Sequence, residues 1–249
     1  MSIELPTKKV KATQQSPKNL IIFSKPKIGK TSLVSQLENC LILDLEDGSK
    51  YLDALKVKAR TFEEIKEIGK AIKEQGHPYK YIAVDTITAL EEIVLPYAEY
   101  LYSKSPMGKN WYNPGGGKDK YGTIIGLPEG SGYYWSRQAF TKVTNYILTW
   151  APYTIFVGHV KDIVLEKNGA NFSSLDLDLT GKLKRIAASN ADAIGYLYRK
   201  GDKNILSFKT TNDISSGARP MHLRNEEFVI SEVTEKGEYE THWEKVYID

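Results

Sequence analysis

Ser24-Lys25-Pro26-Lys27-Ile28-Gly29-Lys30-Thr31 decides how this chain is read. The apolar run Leu20-Ile21-Ile22-Phe23 before it reads as a short buried strand, and Ser32-Leu33-Val34-Ser35-Gln36-Leu37 after it as a helix. Strand, small-residue loop, Gly-Lys-Thr and helix is the context a phosphate-binding loop requires. The backbone of Ser24, Lys25, Pro26, Lys27, Ile28, Gly29, Lys30, Thr31 and Ser32 is expected to line a nucleotide's phosphates at the positive end of the helix. Lys30 would reach the β- and γ-phosphates, and the Thr31 hydroxyl would hold Mg²⁺. Ser24 stands where the pattern usually has its first Gly.

The chain has 249 residues, enough for one large α/β domain or a domain with appendages. Hydrophobic content of 41% and charged content of 26% are ordinary for a globular protein. No apolar run is long enough to span a bilayer, and the start of the chain has no apolar signal region. Cys40 is the single cysteine, so a disulfide framework is excluded, and four scattered His are too few for a zinc site. A cytoplasmic protein without membrane contact is expected. The net charge of +3 does not by itself imply nucleic acid, so where the charge sits matters more.

Residues 1–17 carry Lys8, Lys9 and Lys11 and form a basic arm, either a solvated tail or a nucleic-acid contact. Cys40-Leu41-Ile42-Leu43 reads as a second buried strand whose end carries Asp44, Glu46 and Asp47. Ligands of open parallel sheets bind at such strand ends. These acids therefore either emerge near the phosphates or cap a polar loop. Thr61 to Gln75 is expected to be a helix, with capping-box spacing at Thr61 and Glu64 and one apolar face of Phe62, Ile65, Ile68 and Ile72. His77 reads as a turn residue. Tyr79 to Thr86 is a third strand, ending in Asp85, the pattern of an acid that holds a metal's water shell. An amphipathic helix from Leu90 to Leu101 follows, kinked at Pro96.

Residues 103–136 are rich in Gly and Pro and read as a long loop. Lys109, Trp111, Tyr112, Lys118, Lys120 and Tyr121 interleave cations with rings there. Lysines meeting phosphates and rings stacking on bases would suit single-stranded DNA. The competing reading is a lid whose aromatics pack on the core or on a neighbouring subunit. Tyr153 to His159 is a fourth strand, and His159 at its end is either a γ-phosphate sensor or a structural residue. Val160 to Thr180 reads as a second polar, mobile segment with a turn at Lys167-Asn168-Gly169. Ala193 to Tyr198 and Asn204 to Lys209 read as a hairpin, and Trp243 to Ile248 as a terminal strand.

This ordered set resembles the RecA-like ATPases of AAA/RecA type: a phosphate loop, Asp44-Leu45-Glu46 ending the next strand, Asp85-Thr86, and a polar strand end at His159. It is most similar to phage-encoded members tied to single-strand annealing and recombination, and the similarity covers roughly residues 19–219. The resemblance implies an α/β fold with a mostly parallel central sheet flanked by helices and a C-terminal β-hairpin. It implies an ATP hydrolase core at 18–220 with an extension at 221–249. Lys30, Glu46 and His159 would be catalytic, with Glu46 polarising water, and Thr31 and Asp85 would hold the metal. ATP and Mg²⁺ would be bound, with single-stranded DNA and a ring or filament of identical subunits as partners. Lys209 or Arg219 would reach a neighbour's nucleotide. Two other readings remain open. One is a nucleotide-dependent binding switch or loader for a partner such as a phage replication protein. The other is a deviant-Walker dimeric ATPase, suggested by Lys25 lying five residues before Lys30.

Overall fold

The structure, a computed structural model, describes residues 5, 7–12, 14–167, 170–211 and 213–248. Of the turn expected at Lys167-Asn168-Gly169, the last two residues lie outside these.

The chain opens with β1 (Asn19–Ser24), the phosphate loop and α1 (Lys30–Ser35). Then come β2 (Cys40–Asp44), β3 (Leu55–Lys58), α2 (Phe62–Glu74), β4 (Tyr81–Asp85), α3 (Ile87–Ile93) and α4 (Leu95–Ser103). α5 (Gly117–Tyr121) and α6 (Gly132–Ile147) precede the long strand β5 (Tyr153–Lys167) and β6 (Ala170–Leu177). α7 (Leu183–Asn190), β7 (Ala193–Lys200), β8 (Lys203–Ser207), β9 (Gly217–Ala218), β10 (Glu227–Val233) and β11 (Tyr239–Thr241) complete it.

The strands form one sheet in the order β11-β10-β8-β7-β1-β5-β4-β2-β3, with β6 paired to β5 and β9 to β7. Every pairing from β7 across to β3 is parallel, and β8, β10 and β11 extend the sheet antiparallel. This is the expected α/β class, with a mostly parallel central sheet flanked by helices. The central strands are apolar without interruption because both faces of the sheet are covered. Along β1, Ile21 and Phe23 enter one core with α2, α3, α4, α6 and α7. Leu20 and Ile22 enter the other, with Leu33 and Val34 of α1 and the C-terminal residues Leu223, Ile230, Trp243 and Val246. That alternation is the period of two of a strand.

Two expectations about the helices are met closely. The capping box is present: Thr61 Oγ1 accepts from Glu64 N–H, and the Glu64 carboxylate accepts from Thr61 N–H. The break expected at Pro96 falls slightly earlier, at Val94, with the proline in the first turn of α4, where its missing N–H costs nothing.

Several readings are corrected. Most of the stretch expected to be a polar, mobile segment, Val160 to Thr180, is paired strand: β5 runs on past the sheet, and β6 returns along it from Lys167↔Ala170 to Val160↔Leu177. Trp243 to Ile248 is not a strand. A short 3-10 turn at Trp243–Lys245 carries the indole into the core, and its Nε1 donates to the Leu33 carbonyl at 3.0 Å. Within the 221–248 extension, β10 and β11 join the central sheet and Trp243 packs under α1.

The 103–136 stretch is a compact lobe of α5, short 3-10 turns and the start of α6. Trp111, expected as a stacking platform, is only 1% exposed and meets Tyr102 edge-on. Gly117 lies against the indole ring, and any Cβ there would collide with it. The buried Glu99 of α4 accepts from Lys118 of α5 at 2.6 Å and ties the lobe to the body.

Candidate nucleotide site at the ends of the parallel strands

Register places the site. Ser24 pairs with His159 and Asp44 with Asp85, so the ends of β1, β2 and β4 and the His159 step of β5 share one edge of the sheet. A cleft of about 430 Å³ opens there, lined by Pro26, Lys27, Gly29 to Ser32, Glu46, Gly48, Tyr51, Leu52, Asp85, Thr86 and His159. The phosphate loop turns through left-handed backbone at Lys27 and at Gly29, whose φ of 109° suits glycine.

Lys30 is 7% exposed, and its ammonium donates to Ser24 Oγ at 3.1 Å and to the Lys25 carbonyl at 3.2 Å. Ser24 thus serves the loop with a hydroxyl acceptor that glycine would lack. Burial lowers the Lys30 pKa below its ordinary 10.5, against the opposing pull of Asp85 and Glu46. Thr31 Oγ1 donates to Asp85 Oδ2 at 2.6 Å. Burial raises the Asp85 pKa above 3.8; the Thr31 hydrogen bond opposes this, and the negative charges of Glu46 and Asp44 reinforce it.

The three acids after β2 divide their work. Asp44 is fully buried and folds the turn: its carboxylate accepts from the N–H groups of Glu46, Gly48 and Ser49 and from the Ser49 hydroxyl. Burial pushes its pKa up, but these bonds together bring it below the ordinary value. Asp47 points away into exposed ion pairs with Lys58 at 2.8 Å, Arg60 at 2.7 Å and Lys50 at 3.7 Å. Hydrogen bonds from Lys58 and Arg60 hold its pKa down to about 2. Glu46 alone of the three lines the cleft. Its Oε1 accepts from Thr86 Oγ1 at 2.8 Å, and its Oε2 lies 3.1 Å from His159 Nε2.

Thr86 also accepts from Ala89 N–H at 3.1 Å as the N-cap of α3, so its single proton is free to go to Glu46. Sequence reasoning does not reach that role. The signal available was a Thr three residues before a helical amide. Tyr51 and Leu52, also absent from the sequence-based candidates, border the cleft, with Tyr51 97% exposed.

Thr31 Oγ1 and Asp85 Oδ2, side by side at the cleft, are oxygen donors of the kind a magnesium ion takes. Among the described residues no group of three or more His, Cys, Asp or Glu is arranged as a metal cage. Mg²⁺ is commonly held by one or two protein oxygens together with phosphates and water.

The remaining candidates lie elsewhere. Lys209 pairs with Glu227 at 3.4 Å. Arg219 pairs with Asp192 at 3.4 Å and donates to the Ser189 carbonyl at 2.6 Å. Arg219 follows Ala218, which pairs with Ala193 at the start of β7, the sheet end away from the phosphate loop. Lys109, Tyr112, Lys118, Lys120 and Tyr121 are on the surface of the 103–136 lobe. No helix among the described residues is long and apolar enough to cross a membrane.

A family profile described as an AAA domain matches residues 16–220. No curated protein matches the chain. Among solved structures, a KaiC-like protein from the hyperthermophilic archaeon Pyrococcus horikoshii OT3 is similar, at 12% identity and a TM-score of 0.44, over 91% of this chain and 90% of that one.

Proposed function

The chain belongs to the AAA domain family, and on that premise we propose that it binds Mg²⁺·ATP in the cleft at the strand ends and hydrolyses it to ADP and phosphate. The observation that carries this reading is the meeting at one sheet edge of Lys30, the Thr31–Asp85 pair and Glu46.

Each residue then has a task. The loop N–H groups and Lys30 hold the β- and γ-phosphates. Burial of Lys30 strengthens its attraction for them, because charges interact more strongly away from water. Thr31 and Asp85 would hold Mg²⁺, which would neutralise charge on the phosphate oxygens. Glu46 takes a proton from the attacking water while the oxygen–phosphorus bond forms and the bond to the ADP oxygen breaks. Thr86 and His159 fix the carboxylate in place. His159 also links the site to β5, which leaves the sheet as the β5–β6 hairpin.

Single-stranded DNA is the proposed activator, within recombination, annealing or replication, and the proposed working form is a ring or filament. Exposed rings (Tyr112, Tyr121, Tyr133, Tyr134) and exposed lysines (Lys104, Lys109, Lys120) on the one 103–136 lobe support the DNA contact.

The test is ATP hydrolysis with and without single-stranded DNA across a salt series. Stimulation that fades as salt rises is expected for DNA held through its phosphates. Hydrolysis indifferent to DNA would make the aromatic lobe a protein interface and the protein a nucleotide switch. A chain that neither binds nor cleaves ATP would overturn the whole reading.

A further inference from the structure

A line of polar side chains runs from the phosphate loop across the C-terminal half of the sheet. At the end of β7, Arg199 Nη2 donates to the Ile28 carbonyl at 3.3 Å, and its Nε donates to Asn204 Oδ1 at 3.4 Å. Asn204, on β8, is 4% exposed, and its Nδ2 donates to Ser231 Oγ at 3.0 Å. Ser231, on β10, is fully buried and also accepts from the Tyr239 hydroxyl of β11 at 2.8 Å. A register shift in β10 between Val229 and Ser231 brings Ser231 opposite Asn204. A buried amide is stable only when its groups are paired, so this line fixes the Asn204 side chain. The same amide lies beneath the loop, 3.5 Å from where a Cβ on Gly29 would be.

We infer that Arg199 and Asn204 are positioning residues that hold the phosphate loop in its anion-binding form. Across a trans peptide the C=O and the next N–H point in opposite directions. Anchoring the Ile28 carbonyl on Arg199 therefore turns the Gly29 N–H away from Arg199, toward the cleft that Gly29 lines. Glycine's freedom makes that peptide able to flip, so something must fix it. Asn204 orients the guanidinium, and the neighbouring strands fix Asn204. Neither residue lines the cleft itself, and no motif marks them.

This inference rests on the nucleotide-binding reading. The test is binding of a fluorescent ADP analogue to the full chain, for wild type, Arg199→Ala, Arg199→Lys and Asn204→Ala, with Lys30→Ala as the control. Melting temperatures are recorded alongside. Arg199 is exposed, so its substitution leaves the fold intact. Arg199→Ala is expected to weaken ADP binding about tenfold, the scale of losing a hydrogen bond from a charged donor. Arg199→Lys should recover most of that loss, because an ammonium can still donate to the Ile28 carbonyl. Asn204→Ala should weaken binding while every charge remains. The Arg199→Ala loss should persist at 0.5 M salt, about where surface charge attraction is screened within a few ångströms. Unchanged binding in Arg199→Ala, or a loss that disappears at high salt, overturns the inference. Wild type that binds no better than Lys30→Ala overturns the nucleotide reading, and the inference with it.

Discussion

Glu46 and His159, 113 residues apart in the chain, meet with Oε2 and Nε2 separated by 3.1 Å. The other carboxylate oxygen of Glu46 is held by Thr86. The contact joins the end of β2 to β5 across β4, which lies between them in the sheet. A carboxylate held on both oxygens is fixed in direction, which general-base catalysis needs. His159 Nδ1 is buried and has no hydrogen-bond partner among the described residues. The ring is thus committed to Glu46 through its other nitrogen.

Glu46→Gln tests the base directly. Glutamine keeps the shape and the oxygen that accepts from Thr86, but it takes no proton from water. Steady-state hydrolysis should fall about 10²- to 10⁴-fold, the usual span for a lost general base. Affinity for ATP should stay within about twofold. Hydrolysis that survives the change removes Glu46 from the chemistry.

Thr86→Val separates positioning from fold. The substitution removes the donor to Glu46 and the N-cap of α3 together, and loss of a cap costs about 1 kcal/mol. The turnover number should fall about tenfold, a fraction of the general-base effect. The KM for ATP should hold, because Thr86 acts through Glu46. Thr86→Ser keeps the hydroxyl and should restore both turnover and the melting temperature. If Ser restores stability but not turnover, the link from Thr86 to Glu46 is not what matters.

The sequence discloses this site unevenly. The phosphate loop is legible because strand, Gly-Lys-Thr and helix are contiguous. β2, β4 and the sheet part of β5 are legible because strands buried on both faces are apolar without interruption. β3 escapes sequence reading: it is an edge strand whose Leu-Lys-Val-Lys is largely exposed, so it carries no core signal. β6 and β10 escape because Asn, Ser, Asp and Glu interrupt them, and these residues suit loops equally well. Trp111 misleads because a Gly-rich stretch suggests mobility, whereas Gly117 is there to admit the indole. The Glu46–His159 contact and the Arg199–Asn204 line depend on strand order, which spacing along the chain does not reveal.

Acidification should reveal Asp85. Its folded pKa is raised above 3.8, chiefly by burial. For a carboxyl raised on folding, the contribution to stability is fully present below the unfolded pKa and is lost as pH rises through the folded value. Relative to Asp85→Asn, metal-free wild type should therefore gain stability as pH falls from neutral through the raised pKa to about 3.8, the unfolded value. Paired melting curves from pH 7 to pH 4 measure this, with every other carboxyl common to both proteins. Protonated Asp85 cannot serve Mg²⁺, so the Mg²⁺-dependent part of nucleotide affinity should fade over the same window. A stability difference flat with pH would mean that Asp85 is not burdened by burial.

The 103–136 lobe gives the sharpest contrast between neighbours. Trp111 and Tyr112 are adjacent, yet the indole is buried against Tyr102 while Tyr112 is half exposed, with Lys118 Nζ 5.6 Å from its ring centre. Trp111→Ala should destabilise the protein by about 3–5 kcal/mol, as large-to-small changes in cores do. Tyr112→Ala and Tyr121→Ala should leave the melting temperature nearly unchanged, because both rings are on the surface. If these rings stack on bases, each substitution should weaken binding of a single-stranded oligonucleotide by about 1–3 kcal/mol. Lys109→Ala and Lys120→Ala should instead reduce the salt dependence of binding, by a slope of about 0.7 for each phosphate that is no longer neutralised. Tyrosine variants that bind DNA as wild type does, in a protein whose Trp111→Ala variant unfolds, would leave the lobe a packed structural element and place any DNA contact elsewhere.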